Sequence, residues 1–415
     1  MAFLALFLIV FLFSGIASPS FAASSSHPTW WQIQSIDTMK YSRDLAREKS
    51  KDSGFDSVID TQVKNIAAAG TTHIALATPY DEEFIPYLKR WVNTARKYQL
   101  NVWFRGNFSG WEGWFGYPPL SAADHTAKIS QFIIQNPDLF ADGDVFSSCP
   151  ECENGGPGDP RRTGQVDRFR RFLISEYQSS LSAFSRIHKK VILVNSTNGD
   201  VAKLVFDPDT SSQLGSLIGI DHYVKSPDSL SRDIARIAKQ SKSRVVLGEF
   251  GAPIPDIHGR LTPKEQSVWL DKVLKNLIPM PDLAGLNYWT NTGSSTQLWT
   301  ESGEPEPAVD VLTSYYFPST STGQVIDEFG SPISSAHIVT PLKSVSADAD
   351  GHFQIPLMPD QSAKAEISAQ GYFAREYNLY SSNDITQIVL KKASPGIIYN
   401  LKYLIFRLLG YKIYS

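Results

Sequence analysis

The chain carries one glutamate in a setting where a carboxylate is costly unless it is paired or takes part in chemistry. Glu249 follows the apolar run of residues 244–248 and lies between Gly248 and Gly251. The run is short and rich in β-branched residues, which predicts a buried parallel strand that ends at the carboxylate. The flanking glycines let a ligand or backbone approach closely. Glu249 is therefore a candidate catalytic residue, the alternative being a structural carboxylate that caps a helix or pairs with an arginine.

Two further glutamates follow residues 144–148, a short stretch that contains Val145 and Phe146 and predicts a second strand with acidic side chains at its end. Glu151 lies between Cys149 and Cys152 in a Cys-Pro-Glu-Cys arrangement, and Glu153 follows directly. A structural zinc site needs four ligands, and the chain has only these two cysteines. We expect a tight local disulfide or two small buried thiols, in either case with a structural role.

From residue 30 to about residue 317 the chain alternates apolar strand patterns with amphipathic helix patterns. Eight such pairs match a (β/α)8 TIM barrel in number and size, although a doubly wound open sheet uses the same alternation. Polar residues at the strand ends favour the barrel, because its strand ends converge on one mouth, where active sites of this fold lie. These residues are Asp37, Tyr80, Arg105, Asn107, Glu151, Asn195, His222, Tyr223, Glu249 and Trp289.

In such a barrel Glu151 ends strand four and Glu249 ends strand seven, on roughly opposite sides of the mouth. Hydrolysis of a glycosidic bond needs a pair of this kind. One carboxylate attacks the anomeric carbon, and the other protonates the leaving oxygen and later deprotonates water. The acid needs a raised pKa and the nucleophile a low one, so the two environments must differ.

Residues 30–317 resemble clan A of the glycoside hydrolases, the retaining (β/α)8 enzymes that include the family-five cellulases and mannanases. The motif Gly-Glu-Phe-Gly at residues 248–251 resembles the nucleophile motif of this clan, which implies Glu249 as the nucleophile. The clan often supplies a tyrosine from strand six that hydrogen-bonds the nucleophile, and Tyr223 is in that position. Arg105 could hold Glu249 ionised, because an adjacent cation lowers the pKa of a carboxylate.

The end of strand four departs from the pattern of the clan, which usually has Asn-Glu there. This chain has Pro150 followed by Glu151, and the resemblance implies Glu151 as the acid/base. Glu153, followed by Asn154, is the other possible assignment. The leading expectation is a secreted retaining glycosidase that cleaves β-glycosidic bonds in oligo- or polysaccharides. The missing asparagine favours the rival expectation of a carbohydrate-binding pseudoenzyme on the same barrel.

The substrate-binding residues are expected at the remaining strand ends and in the loop after strand three. Trp289 ends strand eight, where the clan places a tryptophan that stacks on sugar. Trp111 and Trp114, with Asn107, could form the wall of a subsite, the alternative being a loop or core role. The full expected set is Arg105, Asn107, Trp114, Asn154, Asn195, His222, Tyr223 and Trp289.

The composition changes after Pro318, where residues 319–322 read as a linker between the barrel domain (23–318) and a second unit. Residues 323–392 show alternating apolar residues with frequent turn signals, which predicts a small all-β sandwich. They resemble carboxypeptidase regulatory-like (transthyretin-like) domains in Gly-x-Val-x-Asp-x-x-Gly-x-Pro-Ile and in Asp-x-Asp-Gly-x-Phe. Such domains imply a spacing or binding role without catalytic residues.

The two ends of the chain are apolar. Residues 1–22 predict a signal peptide, with an apolar run and a small-x-small cleavage pattern, although an uncleaved anchor is the alternative because no Lys or Arg precedes Lys40. This predicts a secreted or extracytoplasmic protein. The apolar, basic tail of residues 393–415 would pack on the protein or lie peripherally on a membrane.

The overall composition limits the classes of partner that we expect the chain to bind. A net charge of −3 gives no sign of a nucleic-acid partner, which favours a strongly basic face. A metal-dependent barrel hydrolase needs histidine ligands at several strand ends, and His222 alone is well placed. We expect a monomer that needs no metal or cofactor and acts on carbohydrate.

Overall fold

The computed structural model describes residues 27–156, 158–359 and 361–393. The predicted signal peptide and, except for Ala393, the predicted C-terminal tail lie outside the described residues. In the part of the chain that the structure describes, no helix has the length and apolar character needed to cross a membrane.

Nine parallel strands form the first sheet, in the order β5-β4-β3-β2-β1-β9-β8-β7-β6. Only Val194 separates β5 from β6. Because β5 pairs with β4 and β6 pairs with β7, the two are halves of one strand of the barrel, and each of the barrel's strand positions is called a stave below. The sheet is therefore an eight-stave barrel, as predicted, and an open sheet is excluded. The strands are β1 (Ile33–Asp37), β2 (His73–Leu76), β3 (Asn101–Phe104), β4 (Val145–Phe146), β5 (Ile192–Leu193), β6 (Asn195–Asn198), β7 (Leu217–Asp221), β8 (Arg244–Phe250) and β9 (Leu283–Tyr288).

The helices surround the barrel and bury their apolar faces against it. They are α1 (Ala46–Lys49), α2 (Asp56–Ala68), α3 (Ile85–Lys97), α4 (Ser109–Glu112), α5 (Ala122–Gln135), α6 (Pro160–Thr163), α7 (Val166–Arg186), α8 (Gly199–Val205), α9 (Pro208–Gln213), α10 (Pro227–Ser241), α11 (Pro255–His258), α12 (Pro263–Leu277) and α13 (Pro307–Tyr316). A π-helical turn covers Lys40–Asp44, and a 3-10 turn covers Cys152–Asn154 after β4.

The inside of the barrel is a packed core with one side chain from most staves. Its members are Ile33, Ala75, Trp103, Val145, Val194, Val246 and Ala284. Because side chains alternate along a strand, this layer indicates which later residues of each stave also face inward. Arg105 lies two residues beyond Trp103, and Asp37 lies four residues beyond Ile33. Both side chains therefore face inward at the C-terminal mouth.

The second unit consists of two small sheets, of strand order β13-β10-β16 and β12-β11-β14-β15, around a core of its own. Its strands are β10 (Thr320–Asp327), β11 (His337–Val339), β12 (Ser344–Ser346), β13 (His352–Pro356), β14 (Ala363–Ser368), β15 (Arg375–Leu379) and β16 (Ser382–Leu390). The predicted all-β unit is thus present. Residues 320–322, expected as linker, instead begin β10, and the likeness to carboxypeptidase regulatory-like domains stays a prediction.

The second unit contacts the end of the barrel opposite to the mouth. Lys343 Nζ donates to the carbonyl of Trp30, which precedes β1, at 2.7 Å. Leu342 and Met358 pack against the apolar core of the barrel domain. This position leaves the C-terminal mouth open.

Candidate active site at the mouth of the barrel

Arg105 lies at the centre of a buried charge cluster at the mouth. Its side chain is fully buried, and Nη2 donates to Glu249 Oε1 at 2.8 Å and to Asp221 Oδ2 at 3.1 Å. Its Nε lies 3.5 Å from Asp37 Oδ2. Four staves therefore bring one cation and three carboxyl groups together, an arrangement that the protein must stabilise because unpaired buried charge is costly.

One cation does not balance three carboxylates, and the pKa values of the cluster reflect this. Burial raises the pKa of Asp37 to about 6 against the opposing effect of Arg105. Burial likewise raises the pKa of Asp221 to about 7, again opposed by Arg105. Burial would lower the pKa of Arg105, but the carboxylates of Asp221, Glu249 and Asp37 outweigh it, so the guanidinium stays charged.

Both oxygens of the Glu249 carboxylate accept hydrogen bonds. Arg105 donates to Oε1, and the Tyr223 hydroxyl donates to Oε2 at 2.9 Å. The pKa of Tyr223 is raised well above its ordinary value by burial and by Glu249, so the hydroxyl keeps its proton and remains a donor. Glu249 is only 8% exposed, and its carboxylate is held at two points.

A bulge in β8 turns Glu249 toward the mouth. Ile220 pairs with Leu247, but the next residue, Asp221, pairs with Glu249, so Gly248 is an extra residue on β8. Without the bulge, alternation from the inward-facing Val246 would direct Glu249 to the helix layer. A Cβ at Gly248 would lie 2.2 Å from Asp221 Oδ1, so only glycine leaves room for the cluster.

Glu151 faces the cluster from the loop after β4, inside a disulfide between Cys149 and Cys152. Burial, followed by the negative charge of Glu249, raises the pKa of Glu151 to about 9. The amide of Asn154 donates to its Oε2 at 3.2 Å. At neutral pH this side chain therefore carries a proton that it can donate.

Glu153 has a different environment. It is 2% exposed, and its Oε1 accepts a 2.6 Å hydrogen bond from the backbone N–H of Asn198 at the end of the neighbouring stave. Burial raises its pKa, and the largest charges acting on it are Arg161 and Asp159. For Glu151 the largest neighbouring charge is Glu249, so the geometry favours Glu151 as the partner of Glu249.

Three polar residues at the mouth were not expected from the sequence. Asp221 and Asn287 lie in apolar strands, and Asn287 Nδ2 donates to Asp37 Oδ2 at 3.1 Å and to the carbonyl of Gly248 at 2.9 Å. Glu112 in α4 accepts from Asn154 at 3.4 Å, and burial raises its pKa to about 7. A lone acidic or amide residue ending an apolar run, as in Leu-Ile-Gly-Ile-Asp, was the available signal for the first two.

Two tryptophans flank the carboxylates. Trp289 is half-buried, its ring lies edge-on to Tyr223 with centroids 6.2 Å apart, and Lys40 Nζ lies 5.6 Å from its centroid. The peptide bond that follows Trp289 is cis. Trp114 is also half-buried and lies under the guanidinium of Arg43 at 4.5 Å. Both rings keep accessible surface that a sugar could contact.

The loop after β3 is packed more deeply than expected, which corrects one predicted binding residue. Asn107 is fully buried, and its Oδ1 lies 2.7 Å from His125 Nε2. Trp111 is 4% exposed and stacks on Phe172 with ring centroids 5.2 Å apart. Asn107 therefore stabilises the loop, and Trp111 belongs to the core rather than to a subsite wall.

Asn195 and His222 also bind protein groups instead of facing the mouth. Asn195 follows the inward-facing Val194 and so faces the helix layer, where its amide donates to the carbonyl of Leu173 at 3.2 Å. The stave continues to Asn198, so Asn195 is not a strand end. His222 Nε2 lies 2.9 Å from Asp233 Oδ2 in α10. The structure thus gives these two residues structural contacts.

Among the described residues no group of three or more His, Cys, Asp or Glu side chains is arranged to hold a metal ion. Asp37, Asp221 and Glu249 are instead held by the Arg105 guanidinium.

No protein-family model and no curated protein matches the chain. Among solved structures it is similar to a GH5_18 protein from Bifidobacterium longum subsp. infantis, at TM-score 0.53 and 14% identity over 73% of this chain and 87% of the other. It is also similar to GH5_18 from Streptomyces cattleya in complex with GlcNAc, at TM-score 0.52 and 12% identity over 73% and 85%. The chain spans less than half (44%) of Bacteroides uniformis β-glucuronidase 2, at TM-score 0.46 and 10% identity over 80% of this chain. The GH5_18 matches show a shared (β/α)8 barrel fold.

Proposed function

We propose that the chain is a retaining glycoside hydrolase that cleaves β-glycosidic bonds in oligo- or polysaccharides. One observation carries this proposal. Glu249 has a hydrogen-bond donor on each carboxylate oxygen, whereas Glu151 opposite it keeps its proton because its pKa is raised to about 9. A pair of carboxyl groups whose environments separate their protonation states is the arrangement that acid and nucleophile roles require.

In the first step Glu249 Oε attacks the anomeric carbon and the bond to the leaving oxygen breaks. Glu151 gives its proton to that oxygen, so the leaving group departs as a neutral alcohol. Arg105 and Tyr223 hold the carboxylate of Glu249 in place for this attack. The product is a glycosyl ester on Glu249 and an ionised Glu151.

In the second step the ionised Glu151 removes a proton from water, and the resulting oxygen attacks the anomeric carbon and releases Glu249. The charge of Glu249 is one cause of the high pKa of Glu151, and the ester has lost that charge. The pKa of Glu151 therefore falls when the ester forms, which suits its change from acid to base. Two displacements retain the β configuration.

The sugar would lie between the carboxyl groups and the aromatic rings. Trp289 beside Tyr223 and Trp114 near Glu112 offer surfaces for stacking on pyranose faces. The Streptomyces cattleya neighbour was solved with GlcNAc, so β-linked hexosides and N-acetylhexosaminides form the first substrates to test. Asn154, Tyr223, Trp289 and Trp114 remain the proposed binding residues, whereas Arg105, with a fully buried side chain, would act by holding Glu249 rather than by contacting the sugar. We further propose that the chain acts outside the cytoplasm as a monomer.

The proposal is tested on a panel of aryl β-glycosides followed by polysaccharides. We expect turnover of at least one aryl β-glycoside, with the β anomer as the first product by NMR. Glu249→Gln should reduce turnover to background, because the amide cannot form the ester. Glu48→Gln, at an exposed surface site, is the matched control and should retain full turnover. Full turnover by Glu249→Gln, or first release of the α anomer, would contradict the proposal.

The second candidate function is a carbohydrate-binding pseudoenzyme, which Pro150 favours because it replaces the asparagine usual before the acid/base. Binding of oligosaccharides by calorimetry without turnover of any of them would support this candidate. Release of reducing ends from the same oligosaccharides would exclude it.

A further inference from the structure

Glu151 lies inside the ring that the Cys149–Cys152 disulfide closes. Cys149 and Cys152 form a disulfide across three positions, and both are buried, at 1% and 0% exposure. Glu151 within this ring has φ 47° and ψ 52°, a left-handed conformation that side-chain-bearing residues rarely adopt. A residue in this conformation directs its side chain differently from one in the extended or helical regions. The disulfide thus encloses a residue whose backbone conformation is uncommon for a side-chain-bearing residue.

The loop beyond the ring is fixed by packing. The backbone N–H of Asn154 donates to the carbonyl of Glu151 at 2.9 Å. Gly155 and Gly156 then lie on the ring of Trp111: a Cβ at Gly156 would meet the ring at 1.7 Å, and one at Gly155 would meet the Trp111 carbonyl at 2.3 Å. Since Trp111 is itself stacked on Phe172, this side of the loop is anchored to the core. The disulfide is the corresponding covalent anchor on the strand side.

We propose that the Cys149–Cys152 disulfide is a positioning element for the acid/base, which holds Glu151 in the left-handed conformation that brings its carboxyl group to Glu249. This inference rests on the proposed function. Reduction by a dithiol breaks the S–S bond and forms two thiols, while the reductant supplies two electrons and two protons and becomes a disulfide itself. With the bond broken, Glu151 can relax to commoner backbone conformations, and its carboxyl group is then no longer directed toward Glu249.

A disulfide that only stabilised the fold would give a different result. The response of turnover to azide distinguishes a positioning role from a purely stabilising role. When the general base is missing, a small anion such as azide can attack the glycosyl ester without deprotonation. Loss of Glu151 function therefore shows itself as turnover that azide accelerates. Loss of folding shows itself as a lower melting temperature and no response to azide.

The experiment uses the full chain in four forms: oxidised, reduced, reoxidised, and Cys149→Ser/Cys152→Ser. Glu151→Ala serves as the reference for a missing acid/base, and alkylation with mass spectrometry verifies the thiol state. We expect the reduced and double-serine forms to lose about 10²-fold in turnover of an activated aryl β-glycoside, because a misplaced catalytic group costs this much. Azide should accelerate both forms as it accelerates Glu151→Ala, and reoxidation should restore the wild-type rate.

Two controls accompany this measurement. Reductant should not change the double-serine variant further, since the chain contains only these two cysteines. A rapid first burst of aryl alcohol from the reduced form would show that Glu249 still attacks. Unchanged turnover, or a loss that azide does not relieve, would overturn the positioning role. Inactivity of the oxidised protein on every glycoside would instead overturn the proposed function.

Discussion

Two glutamates of the same chain face different chemical groups at the mouth of the barrel. Glu249 accepts hydrogen bonds from a guanidinium and a phenol. Glu151 faces Glu249 and Asp221, and the hydrogen-bond donor on it is the neutral amide of Asn154. Burial adds to the effect of these anions. The division of roles that we propose therefore follows from the neighbours of each glutamate and not from the residue type.

The raised pKa of Glu151 predicts a pH dependence of the first step. In the proposed mechanism Glu151 must be protonated to act, and its pKa is raised to about 9. We expect kcat/KM for an aryl β-glycoside with a poor leaving group to fall as the pH rises through about 9. Glu151→Gln should abolish this alkaline limb, as measured by kcat/KM between pH 6 and 10.

Glu153→Gln is the matched control for this prediction. Glu153 is buried in the same loop but bonded to the backbone of Asn198. Its replacement should leave the alkaline limb in place. A limb that survives in Glu151→Gln and disappears in Glu153→Gln would assign the acid/base role to Glu153 instead.

The residues at the mouth were predictable to different degrees. The strand-end position of Glu249 could be inferred because a carboxylate between glycines after an apolar run is rare. Asp221 and Asn287 were missed because a single polar residue after an apolar run resembles the end of a strand rather than a functional side chain. Glu112 was missed because its loop shows no periodic pattern, so only folding shows which of its side chains face the cluster.

The strand-and-helix alternation allowed the barrel to be predicted, but the alternation does not determine which side chains face inward. The bulge at Gly248 changes the direction of every residue after it, and a sequence pattern of period two cannot show a bulge. In stave five the predicted end of the strand was wrong. It runs on to Asn198, so the expected end at Asn195 is an interior position that faces the helices.

We predict that Gly248→Ala disrupts the cluster while the barrel remains folded. Its Cβ would lie 2.2 Å from Asp221 Oδ1 and 2.7 Å from Arg105 Nη1, so both must move. Displacement of Arg105 removes a donor from Glu249. We expect turnover to fall by about 10²-fold, and the overpacking to cost about 1–3 kcal/mol of unfolding free energy. Steady-state kinetics and denaturant unfolding measure the two effects.

Gly54→Ala is the matched glycine control. Gly54 lies in an exposed turn without a positive φ, and a Cβ there would meet only the flexible side chain of Asp52, at 3.2 Å. Its turnover should equal that of the wild type. Wild-type turnover in Gly248→Ala would show that the close packing of Asp221 and Arg105 is not needed for activity.

The second unit and the mouth lie at opposite ends of the barrel. The contact between Lys343 and Trp30 is made at the N-terminal ends of the strands. A long glycan could therefore pass across the mouth without meeting the sandwich. The domain order was predictable from the change in composition, whereas the docking end was not, because it depends on single contacts such as this one.

The crowding of carboxyl groups at the mouth also lowers the stability of the whole molecule as the pH rises. Asp37, Asp221, Glu112 and Glu151 all have raised pKa values, of about 6, 7, 7 and 9. A group of this kind binds its proton more tightly in the folded state. Its stabilising contribution is complete below the pKa of the unfolded chain and is lost as the pH rises through the folded pKa.

We predict that Glu151→Gln is more stable than the wild type above pH 6, because the amide needs no proton to remain neutral. The difference in unfolding free energy should be near zero at pH 4.5 and should grow up to about pH 9, since one unit of pKa separation corresponds to about 1.4 kcal/mol. Urea unfolding of both proteins at several pH values measures this difference.

Other groups, such as buried His73 with its pKa lowered to about 4 by burial, contribute equally to both proteins and cancel. Glu83→Gln, where an ion pair with Arg47 lowers the pKa, should show no such growth between pH 5 and 9. If Glu151→Gln were no more stable than the wild type at pH 8, Glu151 would not be held neutral in the folded protein, and its role as the acid would lose its physical basis.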